Sequence, residues 1–298
     1  MRFVKYFLSA LLFIVPVLLR AQYEPKSTGE LIRHTYYSLD YNELHEQPNW
    51  VCYRLTYDMI KGLASRADDF RADAAVSTGS AELEDYRGSG YDRGHLCPAA
   101  DMKLSKEAMS ETFFLSNMSP QNPSFNRGKW ADLEAEFRSF IRDESDTLYI
   151  VTGPVFADNK GSVGKNQVTV PGFYYKAAYC PKRGMIGYVM PNRKISETAD
   201  VWVTSVDIIE ALTGIDFFYQ LPDESEEQLE TAINLHAWKT AGNKADNPGT
   251  YRETKKSAPS NPASDKQDAS RCKAVTQSGT QCSRRPEPGS DYCWQHKK

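Results

Sequence analysis

Three neighbouring segments carry side chains suited to hydrolysing a phosphodiester. Residues 91–98 read Tyr-Asp-Arg-Gly-His-Leu-Cys-Pro, residues 116–121 read Ser-Asn-Met-Ser-Pro-Gln, and residues 125–134 read Phe-Asn-Arg-Gly-Lys-Trp-Ala-Asp-Leu-Glu. The side chains that matter here are one imidazole, one guanidinium, two carboxamides and one carboxylate, which belong to His95, Arg93, Asn117, Asn126 and Glu134. A base activates water, a cation holds the phosphate, and oxygen atoms bind a hard metal ion. The pattern is typical of metal-assisted phosphodiester hydrolysis.

His95 is the candidate general base in these segments, because imidazole titrates near neutrality and accepts a proton from water at working pH. Gly94 beside it would let the backbone approach a substrate closely. Arg93 offers a planar pair of donors that matches a phosphate. The alternative for Arg93 is a salt bridge to its neighbour Asp92.

The order and spacing of the segments resemble the DNA/RNA non-specific endonucleases, the ββα-metal group that includes mitochondrial endonuclease G. Further matches are Thr152-Gly-Pro154, Val170-Pro171, Tyr174-Tyr-Lys176 and the stretch from Val203 to Pro222. The resemblance covers residues 30–235. It implies an α+β fold with a central, mostly antiparallel sheet and a ββα-metal (His-Me finger) active site. It also implies Mg²⁺ or Mn²⁺ as the cofactor, and DNA and RNA as substrates.

Asn126 is the metal ligand that the resemblance implies. Mg²⁺ prefers oxygen and keeps several waters, so one carboxamide is an adequate protein ligand. The alternative is a helix N-cap, because Asn126 precedes the helix expected at Trp130. Glu134 lies eight residues later, or ~12 Å along a continuous helix. Glu134 would therefore act outside the metal's inner shell, on a water or a neighbouring side chain, unless it lies on a solvated helix face.

Two further catalytic candidates follow from the resemblance. Asn117 braces the site or contacts phosphate, with a packing role as the alternative. Family members also carry an arginine upstream of an aromatic residue and an aspartate. Arg66, followed by Phe70 and Asp73, is the candidate for this position, and Arg71 competes for it.

The apolar pattern predicts the elements that must position these residues. A stripe at helical spacing predicts a helix carrying Trp130, Leu133, Phe137, Phe140 and Ile141. Strands are predicted at 50–59, 148–151, 173–179 and 185–190, with a helix over 205–212 that Gly214 ends. Because no βαβ alternation appears, the pattern favours an α+β domain over residues 49–240. Residues 22–48 are predicted as an extended lead-in and residues 66–90 as a long surface loop.

Composition is that of a soluble globular protein. Of 298 residues, 40% are hydrophobic, 12% aromatic and 25% charged, enough for one large domain or two smaller ones. The net charge is only -3. The whole chain therefore gives no support for binding a polyanion, which would need a local basic groove or the metal.

Residues 1–21 are predicted to be a signal peptide. Arg2 and Lys5 precede an apolar run from Tyr6 to Leu19, and Ala21 offers a small residue at a cleavage site. The run is shorter than the ~20 residues that a helix needs to cross a bilayer. We expect a secreted or periplasmic protein with no membrane association after cleavage. The alternative is an uncleaved anchor.

The C-terminal end has a separate pattern. Residues 241–270 lose almost all large apolar side chains and are predicted to be a flexible linker. Residues 271–298 carry Cys272, Cys282, Cys293 and His296, a set that satisfies tetrahedral zinc. So short a segment cannot fold on its own core, and this one resembles small Cys3His modules appended to other proteins. The alternative is a disulfide and a spare thiol, which suits an exported chain.

The tail is also basic. It has six positive and two negative side chains, a local charge of +4 that either grips nucleic acid or keeps the tail soluble. Cys52, Cys97 and Cys180 remain in the main domain, where an odd number allows at most one disulfide.

These observations predict an exported, divalent-metal-dependent endonuclease that cuts DNA and RNA. Two alternatives remain open: a phosphodiesterase for smaller substrates, and a catalytically silent nucleic-acid-binding protein on the same scaffold. The sequence does not fix the oligomeric state, and a dimer is one option.

Overall fold

The computed structural model describes residues 23–143, 145–240, 271–274, 282 and 286–293. Its strands are β1 (Glu30–Arg33), β2 (Tyr37–Asn42), β3 (Gln47–Thr56), β4 (Asp92–His95), β5 (Met118–Gln121), β6 (Thr147–Val155), β7 (Ser162–Val163), β8 (Val168–Thr169), β9 (Phe173–Cys180), β10 (Gly184–Pro191) and β11 (Val203–Thr204). Its α-helices are α1 (Tyr57–Lys61), α2 (Leu83–Tyr86), α3 (Lys106–Glu111), α4 (Ala131–Ser139), α5 (Val206–Thr213), α6 (Asp223–Thr231) and α7 (Leu235–Thr240).

The main sheet has seven strands in the order β1-β2-β3-β6-β9-β10-β11. Every neighbouring pair in it is antiparallel. Strands β4 and β5 form a separate two-stranded ribbon, as do β7 and β8. The α+β fold class with a central antiparallel sheet is therefore confirmed.

Alternate residues of the central strands pack into two different cores. On β3, Val51 and Tyr53 face the core that contains Phe137 of α4 and Trp238 of α7. Their neighbours Trp50 and Cys52 face the opposite core, which α5 and α6 cover. This two-residue alternation is the pleat of a strand buried on both faces. The β4–β5 ribbon and α4 pack on the face of the sheet that carries Val51 and Tyr53.

The two helices predicted from local signals are present. The expected stripe is buried along α4 and its flanks, at Trp130, Leu133, Phe137, Phe140 and Ile141. Helix α5 begins after Ser205, whose side chain accepts a hydrogen bond from the Ile208 backbone, and ends at Gly214 with φ 72°. An N-cap oxygen and a left-handed glycine are the expected ends of such a helix.

The N-terminal segment differs from its prediction. Instead of an extended lead-in, residues 30–42 form β1 and β2 at one edge of the main sheet. The carboxylate of Asp40 is fully buried, and hydrogen bonds from the Gly29 backbone at 2.8 Å and from Asn49 Nδ2 at 2.8 Å offset the loss of water. The strand predicted to run to residue 59 ends at Thr56, where α1 follows directly.

The predicted loop over residues 66–90 is anchored against the core. Asp73 and Val76 are buried in it, and Arg71 forms a backbone bridge to Phe114. The predicted signal peptide and linker lie outside the described residues. In the described ranges, no helix combines the length and apolar character needed to cross a membrane.

Candidate active site

The three motif segments come together as a two-stranded ribbon followed by a helix. Strand β4 pairs with β5 so that Gly94 lies opposite Ser119 and His95 opposite Met118. Arg93 and His95 are two residues apart on β4, so their side chains lie on the same face of the ribbon. The chain then passes through a π-type turn, Phe125–Trp130, into α4.

Gly94 is required by the packing of this ribbon. A Cβ atom at Gly94 would lie 2.2 Å from the side chain of Gln121, far inside van der Waals contact. The Gln121 amide thus occupies the place that a larger residue at position 94 would take. Gly94 therefore makes room for the side chain of Gln121, whereas the sequence analysis predicted that Gly94 lets the backbone approach a substrate.

His95 packs against two phenyl rings that also contact each other, with the centroids of Phe70 and Phe113 4.8 Å apart. The ring centroids of His95 and Phe113 are 4.9 Å apart at an interplanar angle of 86°, and those of His95 and Phe70 are 5.7 Å apart at 62°. Nε2 of His95 is buried and has no hydrogen-bond partner among the described residues. This leaves Nδ1 as the ring nitrogen able to meet a water molecule.

Two arginines stack on the same phenyl rings. The guanidinium of Arg93 lies 4.1 Å from the Phe70 centroid, and that of Arg66 lies 4.8 Å from the Phe113 centroid. Burial, followed by the positive charges of Arg66 and Arg93, lowers the pKa of His95 to about 3. The imidazole is therefore neutral at neutral pH, which is the form that accepts a proton.

Arg71, the competing arginine, points elsewhere. Its guanidinium stacks on Phe114 at 4.0 Å, pairs with Asp69 at 2.9 Å and donates to the Ser110 carbonyl at 3.1 Å. Of the two candidates, Arg66 is the one whose charge acts on His95.

Asp92 connects β4 to the π-type turn. It accepts a hydrogen bond from Asn126 Nδ2 at 2.9 Å, and from Arg127 Nε at 2.8 Å. Among the described residues, Asp92 forms its salt bridge with Arg127, so the alternative of a salt bridge between Asp92 and Arg93 is wrong. The N-cap alternative for Asn126 also fails, because Asn126 lies inside the turn while Trp130 precedes the first residue of α4. The Oδ1 atom of Asn126 accepts no hydrogen bond from the described residues.

Glu134 belongs to a different group of charges. The stretch from Asn126 to Glu134 is not one α-helix, because Gly128 has φ -113° and ψ -113°, and the expected separation along a continuous helix does not apply. Glu134 is half-buried on α4, and burial raises its pKa to about 7 although the charge of Lys176 lowers it. No direct bond joins Glu134 to His95 or Asn126 in the part of the chain described.

Asn117 has the contacts of a brace. Its Oδ1 accepts from the Cys97 backbone at 2.8 Å, while Nδ2 donates to the Cys97 and Thr112 carbonyls, each at 2.9 Å. The side chain is fully buried. It thereby fixes the chain that follows His95 to the chain that precedes β5.

An open cleft of about 320 Å³ adjoins the ribbon. It is lined by Leu83, Tyr86, Arg87, Tyr91, Asp92 and Arg93. Arg87 and Arg93 bring positive charge to this cleft, where Arg87 pairs with Glu84 at 2.9 Å and Asp92 is part of the lining. Sequence reasoning gave no separate role to Phe113 or to Asp92, since their contacts depend on the fold.

Three of the tail cysteines also come together. The sulfur atoms of Cys272, Cys282 and Cys293 all lie within 4.8 Å of one another, and the three residues are buried. His296, the expected fourth ligand, lies outside the described residues. In the main domain Cys52, Cys97 and Cys180 are buried thiols without a disulfide.

The chain is similar to a known protein family over most of its length. The profile of the DNA/RNA non-specific endonucleases matches residues 16–224. The chain belongs to this family. Membership confirms the interpretation of the protein as a hydrolytic nuclease.

Individual relatives agree with this assignment. Nuclease C1 of Cunninghamella echinulata var. echinulata is 35% identical over 218 residues, covering 66% of this chain and 86% of the relative. Human mitochondrial endonuclease G is 35% identical over 215 residues, covering 66% of this chain and 72% of the relative. A nuclease of Nostoc sp. is 34% identical over 216 residues, covering 66% of this chain and 76% of the relative.

A solved structure shares the fold. In the crystal structure of the EndoG/EndoGI complex, a chain superposes with a TM-score of 0.60 at 31% identity. The match covers 65% of this chain and 87% of that one.

Proposed function

We propose that this family member is an exported endonuclease that hydrolyses phosphodiester bonds of DNA and RNA with a divalent metal ion, using His95 as its base. The observation that carries the proposal is the neutral imidazole of His95 packed against two phenyl rings, each of which stacks on an arginine. Family membership supports the reaction class.

His95 would take a proton from water through Nδ1. As that proton leaves, the water oxygen forms a bond to phosphorus, the ester P–O bond breaks, and the leaving alcohol oxygen is protonated from solvent. The low pKa of His95 favours the free lone pair, while the two phenyl rings fix the plane of the imidazole. General-base catalysis of this kind contributes ~10²–10⁴ in rate.

Arg93 and Arg66 would hold the scissile phosphate. Stacking fixes each guanidinium plane against a ring, in an orientation from which its N–H groups would donate to phosphate oxygens. Nε of Arg66 donates to Asp68 at 2.6 Å, so its terminal nitrogens would make this contact. The cleft beside Arg93, with Arg87 on its wall, would continue this contact along a polynucleotide. Both arginines also keep His95 neutral, and the same charges make its imidazole a weaker base.

Asn126 fits the role of metal ligand. Its amide NH₂ is committed to Asp92, so the carbonyl oxygen is the atom it can offer to a ligand. A single oxygen ligand suits Mg²⁺, which retains several waters, and Mn²⁺ accepts the same donor. A bound divalent ion would supply positive charge to the phosphate and leaving oxygens. Glu134 would orient water around that ion, and this role needs Glu134 as a carboxylate.

A nicking assay on supercoiled plasmid and on a structured RNA tests the function. We expect the mature protein to relax and then degrade both polymers with Mg²⁺, and to lose the activity in EDTA. His95→Ala is the matched inactive control.

Two other outcomes would favour the alternatives. Hydrolysis of bis(p-nitrophenyl) phosphate without cleavage of either polymer would indicate a phosphodiesterase for small substrates. Retention of plasmid in a mobility shift without any cleavage would indicate a silent binding protein.

We also propose that the tail binds one structural zinc ion through Cys272, Cys282, Cys293 and His296. The clustering of three buried sulfur atoms supports this, because thiolates at such distances suit a tetrahedral zinc shell. Export by residues 1–21 rests on sequence pattern, and N-terminal sequencing of the mature protein tests it. A mature chain that begins near Gln22 would support export, and one that retains Met1 would contradict it.

A further inference from the structure

The surface lysines of the main domain fall into two groups. Most of them form a salt bridge with a nearby carboxylate, namely Lys26, Lys129, Lys160, Lys165, Lys182 and Lys239. Lys61, Lys103, Lys106 and Lys194 form no salt bridge with the described residues. The first three of these lie on adjoining segments of the chain, so their positive charges face a partner outside the protein together.

Backbone contacts bring Lys61 and Lys103 together. Helix α1 ends at Lys61, and a Cβ atom on the next residue, Gly62, would lie 1.8 Å from the Lys103 carbonyl oxygen. The Lys103 backbone also donates a hydrogen bond to the Met59 carbonyl in α1 at 2.9 Å. Lys106 is the first residue of α3, three residues after Lys103. We call Lys61, Lys103 and Lys106 the lysine ridge.

The lysine ridge packs on the same buried cluster as the active site. Ala64, between Lys61 and Arg66, packs against a cluster that contains Met109 of α3 and Phe113. Phe113 is the ring on which the guanidinium of Arg66 stacks at 4.8 Å. The lysine ridge is therefore a continuation of the active site on its Arg66 side.

The distance from Arg66 to the lysine ridge matches a short run of nucleotides. Arg66 follows Lys61 by five residues, which span at most ~17 Å in an extended chain. One strand of a DNA duplex carries a phosphate every ~3.4 Å along the helix axis. A strand whose scissile phosphate binds at Arg66 would therefore bring another phosphate to the lysine ridge within about five nucleotides.

The composition of this surface fits two kinds of partner. Residues 57–66 and 103–107 carry four positive side chains and two negative ones, Asp58 and Glu107. Leu63 and Leu104 beside the lysines are 97% and 39% exposed. Lysines next to exposed leucines suit either a polyanion or an anionic lipid surface. Continuity with Arg66 favours the polyanion, because a membrane on this face would cover the arginine that binds phosphate.

We propose that the lysine ridge is an interaction surface for the phosphate backbone of the substrate, several nucleotides away from the scissile bond. The proposal rests on the proposed function and extends it from the reacting phosphate to its neighbours. The lysine ridge contributes affinity through charge and takes no part in the chemistry. It contacts phosphates and no base edges, so it favours long polymers over short ones without selecting a sequence.

Binding in EDTA tests this surface without any cleavage. Fluorescence anisotropy follows a labelled DNA strand of ~20 nucleotides, longer than the span from Arg66 to the lysine ridge. The ridge variant is the full mature chain with Lys61→Gln, Lys103→Gln and Lys106→Gln. Each lost contact flattens the slope of log Kd against log salt by ~0.7 for a single strand, so we expect a change of ~2 in the ridge variant.

A control variant removes the same charge elsewhere. Lys26→Gln, Lys182→Gln and Lys239→Gln together replace three lysines that lie in ion pairs with carboxylates of the chain. We expect this variant to keep the wild-type slope, and circular dichroism checks that both variants are folded. An equal slope in the wild type and the ridge variant would overturn the proposal, and so would an equal flattening in both variants.

Cleavage with Mg²⁺ separates affinity from chemistry. In the ridge variant we expect the KM for long DNA to rise at low salt while kcat stays close to the wild-type value. The KM for a trinucleotide should change less, because so short a strand ends before the lysine ridge. A fall in kcat with an unchanged KM would overturn the proposal. Failure of the wild type to cleave either polymer, with the difference in salt slope still present, would instead count against the proposed function.

Vesicles test the competing partner. Co-sedimentation compares vesicles of phosphatidylcholine alone with vesicles that also contain phosphatidylglycerol, for the wild type and the ridge variant. We expect no difference between the two proteins on either kind of vesicle. Binding of the wild type to the anionic vesicles that the ridge variant loses, with equal DNA binding by both proteins, would overturn the proposal and assign this surface to a membrane.

Discussion

The carboxylate of Asp92 accepts a hydrogen bond from Nδ2 of Asn126 at 2.9 Å and so fixes which way the Asn126 amide faces. Because a carboxylate only accepts hydrogen bonds, the NH₂ group must point to Asp92 and the carbonyl oxygen must point away from it. Arg127 anchors the same carboxylate with two hydrogen bonds, from Nε to Oδ2 at 2.8 Å and from Nη2 to Oδ1 at 2.5 Å. Asp92 thus links the strand that carries His95 to the turn that offers an oxygen ligand.

Replacing Asp92 should weaken the metal dependence of cleavage. In Asp92→Ala the Asn126 amide is free to rotate, so we expect the Mg²⁺ concentration for half-maximal cleavage to rise ~10–100-fold, as for other residues that orient a metal ligand. Titration of plasmid cleavage with Mg²⁺ measures this. Asp132→Ala, which removes an exposed carboxylate from α4, is the matched control. Equal Mg²⁺ dependence in all three proteins would show that Asp92 does not orient the ligand.

Replacing Asn126 itself should have a larger effect on the same titration. For Asn126→Ala we expect a severe loss of cleavage that high Mg²⁺ or Mn²⁺ partly restores, because the site loses affinity while the turn keeps its shape. An unchanged metal dependence would point to a different ligand.

The environment of His95 gives a prediction for stability as well as activity. His95→Ala should abolish cleavage while folding and DNA binding persist, since only the base is lost. The depressed pKa means that the native state stays unprotonated at His95 where the unfolded chain, with the ordinary value of 6.5, takes up a proton. Above pH 6.5 the His95 ring is neutral in both the native and the unfolded state. As the pH falls below 6.5, the unfolded chain binds a proton that the native state does not, so the native state loses stability.

This linkage is measured by the difference in unfolding free energy between the wild type and His95→Ala. We expect the wild type to lose stability relative to the variant by up to ~1.4 kcal/mol per pH unit below the ordinary histidine pKa. Urea unfolding at a series of pH values measures it. A difference that stays constant with pH would show that His95 titrates normally in the native state.

Arg66 and Arg71 offer a matched pair for the arginine assignment. Arg66→Met removes a positive charge near His95, so the pKa of His95 should rise and the acidic limb of cleavage should move toward neutral pH. Cleavage at neutral pH should also fall ~10–100-fold, the effect of losing a charge-assisted hydrogen bond of ~1.5–3 kcal/mol. Arg71→Met should stay close to the wild type, because Arg71 is engaged with Phe114 and Asp69. The reverse ranking would transfer the role to Arg71.

Local signals were sufficient for much of the fold. The stripe from Trp130 to Ile141 and the Ser205 and Gly214 ends of α5 each depend on neighbours a few residues away. Strand β2 was missed because it is buried on both faces. Leu39 packs into the core, while Asp40 is buried by hydrogen bonds to distant residues, so no apolar–polar alternation appears.

The site depended on contacts that spacing does not encode. Phe113 and Phe70 reach His95 from other segments of the chain, and the fold alone decides which rings those are. Lys176 left a readable signal, since a lysine in the apolar run from Phe173 to Cys180 must be buried if that strand is central. The carboxylates whose charges raise the pKa of Lys176, those of Glu134 and Asp101, lie on other elements and were not predictable from spacing.

The tail provides a test by metal removal. If Cys272, Cys282, Cys293 and His296 bind zinc, elemental analysis of the purified full chain should find about one tightly held zinc apart from the catalytic ion. Cys282→Ser should lose this zinc, whereas Cys180→Ser, at a buried thiol of the main sheet, should retain it. Mass spectrometry that finds the tail cysteines in disulfides, with no zinc present, would leave only a disulfide-stapled tail.

Removing the tail separates its role from that of the nuclease domain. Structural zinc supplies the folding free energy of so small a unit, so chelation should unfold the tail and leave the main domain folded. As a flexible coil, the linker over residues 241–270 would span ~30 Å, which makes the two units independent to a first approximation. A chain ending at Gly242 should therefore cut short oligonucleotides at nearly the full rate. If the +4 tail grips nucleic acid, the truncated chain should bind long polymers more weakly, with a flatter dependence on salt. Equal affinity and salt dependence in both chains would show that the tail charge serves solubility alone.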